Sequence, residues 1–252
     1  MQQVSTGAQV PDSTAATATG DAANRVARWR DAIRVSPALA ALDAFNIRLA
    51  QGLVPPVGRA FVTSLYAFNR GTPAGIAQLA GRWGDHLALT DPLHAHRHAA
   101  RVLASAVDEF GLTGSRPHVE LFVSFAARWG LSAEAVFDRK SAVPAARALG
   151  DRVEAWYRTA PLTTALAVHF VSEETSTAEF RAWGAIFPDE EYARVHAALE
   201  PGHSSDAADS LAHHLAAHPE EVPAAEAAIA PYLELYRTMF DQLSAVAASH
   251  SS

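Results

Sequence analysis

The chain has 252 residues, 49% of them hydrophobic, a length and balance that fit one folded domain with a sizeable core rather than a disordered chain. Its 20 basic and 27 acidic residues leave a net charge of −7, and no run of Lys or Arg marks a track for a phosphate backbone, which argues against a nucleic-acid partner. Cysteine is absent, so disulfides, thiolate metal sites, iron–sulfur clusters and cysteine nucleophiles are excluded, and any metal must be held by His, Asp and Glu.

Residues 1–23 are rich in Ser, Thr, Ala and Gly and carry neither the basic start nor the apolar stretch of a secretion signal, so they read as a disordered tail of a cytoplasmic protein. Residues 24–252 form a single domain. From Arg25 onward Ala, Leu, Arg and Glu recur with helical spacing and no stretch alternates β-branched with polar residues, which predicts an all-α fold. Gly and Pro mark breaks at Pro55-Pro56, Gly71 to Pro73, Asp91-Pro92, Gly111 to Pro117, Gly130, Gly150, Pro161, Phe187-Pro188, Pro201-Gly202 and Pro219, dividing the chain into about eight to ten helices. Thr72-Pro73 and Asp91-Pro92 each place a capping side chain before a proline and predict helix starts, as does Ser132 three residues before Ala135. With no internal repeat, no sustained heptad seam and no apolar run near the roughly 18 to 20 residues that span a bilayer, a helical bundle with no membrane partner is expected.

Twelve histidines stand out. His94, His96 and His98, and again His213, His214 and His218, fall in polar stretches and read as solvated. His196-Ala-Ala-Leu-Glu200-Pro-Gly-His203 is different: positions i, i+4 and i+7 share one helical face, and two imidazoles with a carboxylate suit iron or manganese. Surface helices in His-rich chains produce similar triples, so partners are needed elsewhere. Glu109 follows Val102 by seven and Ala106 by three, which sets it on an inward face with Val102, Ala106 and Phe110, where a carboxylate is costly unless paired or bound to metal. His118 opens the next helix, beyond the Gly111 to Pro117 turn that folds it back toward Glu109. In Pro161 to Phe180, Leu162, Leu166, His169, Phe170, Glu173 and Thr177 form one stripe, which turns Glu173 inward more naturally than Glu174.

Taken together, Asp108-Glu109-Phe-Gly, then His118-Val-Glu-Leu-Phe with Arg128-Trp-Gly-Leu, an inward Glu in mid-helix and finally His196-x3-Glu200-x2-His203-Ser resemble the haem-oxygenase-like di-iron oxidases over roughly residues 101–210. The resemblance implies a haem-oxygenase-like helical bundle and a metal site of Glu109, His118, Glu173, His196, Glu200 and His203, the same six residues being catalytic. It implies two Fe ions and O2 as co-substrate. Three departures mark this chain: Glu200 stands where Asp is usual, with Asp206 as a substitute; Pro201-Gly202 interrupts the helix inside the motif and should leave it marginal without metal; and Glu173-Glu174 leaves the middle ligand's register open.

The implied activity is that of a non-haem, O2-dependent oxidoreductase acting on a small amino acid, amine or carboxylate, by N-oxygenation or by oxidative C–C cleavage or decarboxylation, in a biosynthetic setting. An external electron donor and a homodimer stay open as partners. Arg97, Arg101 and Arg128 are candidates to clamp a substrate carboxylate, Trp156, Tyr157, Phe170 and Trp183 to line a pocket, and His169 to touch ligands or substrate. The alternatives are a metal-free enzyme on the same scaffold, or a helical ligand-binding or interaction module.

Overall fold

The computed structural model describes residues 13–114 and 116–250, with side chains from residue 18 onward. Among the described residues there are eleven α-helices and no strand. They are α1 (Ser13–Arg34), α2 (Pro37–Ala50), α3 (Pro55–Asn69), α4 (Thr72–Thr90), α5 (Ala95–Glu109), α6 (His118–Ala126), α7 (Ala133–Phe137), α8 (Pro144–Thr159), α9 (Leu162–Ile186), α10 (Glu191–Ala217) and α11 (Val222–Ala248). Short 3-10 turns cover Ala127–Trp129, Arg139–Ser141 and Pro219–Glu221. No helix of the described residues is long and apolar enough to cross a membrane.

The bundle is organised around α9. Every residue from Ala165 to Thr175 is buried, so this helix has no solvent face there and packs against α10, α11, α8, α2, α4 and α1. α1 lies along α10, α4 along α5, and α3 crosses α8. The α3–α8 crossing explains Gly150: a Cβ there would run into the Ala67 carbonyl, so the glycine sits inside α8 to let two backbones approach and does not break the helix as expected.

Other boundaries also differ from expectation. α1 starts at Ser13 and takes in residues 13–23 of the segment expected to be disordered; residues 1–12 lie outside the described residues. Ser132 caps α7, accepting a hydrogen bond from the Ala135 N–H at 3.3 Å. Thr72, by contrast, is already helical and its hydroxyl makes no hydrogen bond; Gly71 occupies the cap position. Asp91 ends α4 rather than opening α5, which begins at Ala95, and its carboxylate is spent on His94 Nδ1 at 3.0 Å.

The largest difference is at Pro201-Gly202, where α10 runs through without a break. Pro201 forfeits the hydrogen bond its nitrogen would have donated and crowds the carbonyl four residues before it, costs that the long face packed on α9 outweighs. Thr177 of α9 donates to the Glu200 carbonyl at 3.2 Å, tying the proline turn to its neighbour. Because the helix continues, Glu200 and His203 keep the register of His196.

Candidate metal site

The turn between α5 and α6 sets the first two side chains. Gly111, in the left-handed region at φ 73°, donates to the Asp108 carbonyl at 2.8 Å, and Leu112 donates to Val107 at 3.1 Å, the paired bonds of a Schellman cap. Thr113 Oγ1 then donates to Asp108 Oδ1 at 2.5 Å. Asp108 and Glu109 therefore sit in the last turn of α5, at the negative end of the helix dipole, where a carboxylate is favoured only by a nearby cation. Val102 and Ala106 are buried beneath them as expected, whereas Phe110 is turned outward and 47% exposed.

All six residues singled out from the sequence converge, in two groups of three. Glu109, His118 and His196 form an outer group and Glu173, Glu200 and His203 an inner one; within each, one ligand atom per residue lies within 4.8 Å of the others, close enough for a shared ion. In the outer group His118 Nδ1 is 3.1 Å and His196 Nε2 3.4 Å from Glu109 Oε1. His196 Nδ1 donates to the Tyr192 carbonyl at 2.9 Å, which leaves Nε2 bare toward Glu109. The ring is stacked on Phe180, with centroids 4.1 Å apart, and flanked by Tyr192. In the inner group His203 Nε2 hydrogen-bonds Asp108 Oδ2 at 2.8 Å, turning Nδ1 toward Glu173 Oε2, 4.0 Å away.

Asp108 was absent from the sequence-derived set, although it holds His203 as a carboxylate behind a ligating imidazole does. The register at Glu173-Glu174 is resolved by partners. Glu173 joins the inner group with His169 Nδ1 at 3.4 Å, while Glu174 accepts from Arg30 at 2.6 Å and from Ser204 at 2.5 Å. Asp206 is turned away to Arg101, 3.6 Å distant, so Glu200 is the member of the cluster.

The fit to metal rests on the donor set and on what it lacks. His118 is buried with no well-aligned hydrogen bond at either nitrogen, Nδ1 facing only Glu109 Oε1 at 3.1 Å, and Glu200 Oε2 is likewise buried without a partner. Burial pushes Glu173 up despite His203, and burial followed by the charges of Glu173 and Glu109 pushes Glu200 well above the ordinary carboxylate range. Burial also opposes the charge on Glu109, but the rings of His118 and His196 outweigh it and hold that carboxyl low. His196 is lowered, chiefly by burial, with the neighbouring Glu109 carboxylate opposing the shift. Three carboxylates this close need protons or cations, and imidazole nitrogens set among them suit a borderline transition-metal cation.

A cavity of about 60 Å³ lies among Glu109, Glu173, His196, Glu200 and His203, and it continues past Asn69, Pro73 and Tyr192 into a cleft of about 410 Å³. Leu65, Tyr66, Ala74, Val119 and Phe122 wall the cleft, and Glu109 and His118 face it. Its mouth carries Arg70, which also bonds Asp151 at 3.0 Å and Glu154 at 3.3 Å. The arginines expected to act as clamps lie elsewhere: Arg101 pairs with Asp206 and Asp209, Arg128 with Glu190, and Arg97 is exposed. Trp156, Tyr157, Phe170 and Trp183 are core residues, and Phe68, Phe122, Phe180 and Tyr192 supply the aromatic lining instead.

No protein-family model and no curated protein matches the chain. Among solved structures, the crystal structure of a domain of unknown function with a heme oxygenase-like fold from Shewanella denitrificans OS217 aligns with a TM-score of 0.62 at 18% identity, covering 91% of this chain and 93% of that one. At that identity the likeness speaks for architecture alone, and with the eleven helices described above it gives this chain the heme oxygenase-like fold.

Proposed function

We propose that the chain is a non-haem di-iron enzyme that uses dioxygen to oxidise a small amino acid, amine or carboxylate. The observation that carries this reading is the pairing of two three-residue nitrogen and oxygen donor sets around one cavity that opens into a cleft of substrate size. Glu109, His118 and His196 would hold one ion and Glu173, Glu200 and His203 the other. Three protein donors per ion leave coordination positions open, unlike a closed structural site. When bound, the ions supply the electrons and Lewis acidity for reducing dioxygen.

The chain's own groups do the rest. Asp108 and the Tyr192 carbonyl fix which nitrogen of His203 and of His196 faces the cavity. The apolar walls of the cleft exclude water from the reacting end of the substrate, and Asn69 and Arg70 offer polar contacts to its other end. Glu179 lines the inner cavity with its carboxyl pushed up to about 8 by burial, and its Oε1 accepts a hydrogen bond from the Tyr236 hydroxyl at 2.5 Å.

The test is anaerobic loading with Fe(II), desalting and metal analysis, then oxygen-uptake assays with a panel of amino acids, amines and carboxylates. Two irons per chain, lost in part in Glu109→Ala and His196→Ala, and substrate-dependent oxygen consumption are expected. A desalted protein without iron, or unchanged binding in both variants, would overturn the reading in favour of a metal-free enzyme or binding module.

A further inference from the structure

The histidines outside this site are not solvated as a group. α10 continues for about 16 Å beyond His203 to reach His214, taking 1.5 Å of rise per residue, and ends against the far end of α4. There His214 is 2% exposed, and His86 of α4 and His218 at the C-cap of α10 close around it. Ring centroids are 5.5 Å apart for His86 and His214, 5.4 Å for His86 and His218, and 4.8 Å for His214 and His218. One nitrogen from each ring lies within 4.8 Å of the other two.

We infer that His86, His214 and His218 form a separate mononuclear site for a divalent transition metal of the zinc type, with Glu221 as carboxylate ligand. Glu221 Oε2 is 3.0 Å from His214 Nε2, and Glu221 falls in an adjoining group with His218 and Glu220, so it reaches the three rings from the His214–His218 side by turning its carboxylate. Three imidazoles and one carboxylate are the donor set of a four-coordinate borderline ion. Two ring nitrogens, His214 Nδ1 and His218 Nε2, are buried and make no hydrogen bond, so polar valence is left over at this corner.

Trp83 braces the cluster, stacked on His86 at 5.6 Å and edge-on to His214 at 5.4 Å, which limits ring rotation as a rigid metal site requires. Thr163 Oγ1 lies 2.7 Å from His214 Nε2 and steadies that ring from α9. A metal here clamps the C-terminal end of α10 and the turn into α11 onto α4.

Cobalt(II) is the probe, added to untagged protein carrying Glu109→Ala and Glu200→Ala to disable the other centre. One cobalt per chain with the intense visible bands of four-coordinate ion, displaced by one equivalent of zinc, is expected. His86→Gln and His218→Gln, each introduced singly with helicity checked by circular dichroism, should weaken binding at least tenfold. Iron-saturated wild type should likewise take up one zinc against a chelator. No cobalt in the double variant and no zinc in the iron-saturated protein, or wild-type affinity in both histidine variants, would overturn the site.

Discussion

Burial of Glu179 gives the protein a stability that falls as pH rises. The residue is 2% exposed and its carboxyl is pushed from 4.5 up to about 8 by desolvation, partly offset by the Tyr236 hydroxyl donating at 2.5 Å. Below about pH 4.5 the folded and unfolded chains both hold this proton and nothing changes. Between there and pH 8 the unfolded chain has released it while the folded chain keeps it, so folding loses about 1.4 kcal/mol per pH unit. From about pH 5 to about pH 7.5 the loss is about 3 kcal/mol, an upper figure if the site relaxes on ionisation. Glu179→Gln keeps an acceptor for Tyr236 and cannot ionise. Urea unfolding of metal-free wild type and variant at several pH values isolates the residue, because every other titrating group contributes to both. The variant should gain on the wild type steadily through that window. Parallel stability curves would refute the assignment of a buried, protonated Glu179.

Asp108→Asn should leave the fold intact but weaken metal binding at the inner group by about 10- to 100-fold, measured by competition against a chelator, because His203 loses the charge that orients it. Gly150→Ala should cost about 1 to 3 kcal/mol in urea unfolding through its clash with Ala67, whereas Gly202→Ala, with nothing within 4 Å of the added carbon, should gain about 0.5 to 1 kcal/mol by favouring α10. Arg30→Ala should cost about 3 kcal/mol, since it leaves Glu174, only 5% exposed, without its cation and with Ser204 as its remaining partner.

The helical class was legible because it depends on periodicity, and periodicity survives packing; the six clustered residues were assembled from that periodicity, the turn before His118 and the resemblance. His196, Glu200 and His203 share a face whatever covers it. What failed were inferences from local chemistry that tertiary contact overrides. Pro201 and Gly150 read as breakers, yet one is carried by the α9 interface and the other is what lets α3 and α8 touch. Glu173 and Glu174 were ambiguous for a physical reason: α9 is buried on all sides there, so no polar face exists to reveal which side is in. Asp108 was hidden by its neighbour, because placing Glu109 inward swings the preceding residue about 100° round the helix, toward what looked like solvent. It is α10 that covers it, and α10 lies 95 residues away in sequence. The histidine triad at the end of α10 escaped notice for the same reason, since its third member comes from α4.

The cleft beside the outer group separates two kinds of inheritance. Five of the six clustered side chains come from α5, α9 and α10, while Leu65, Tyr66 and Ala74 on its wall come from α3 and α4. Substitutions along that wall can reshape the chamber without displacing a ligand. Under the proposed function, the α3 and α4 side of the wall would set what the cleft accepts while α5, α9 and α10 hold the donors, so Leu65, Tyr66 and Ala74 are the positions at which acceptance and metal binding can be varied independently.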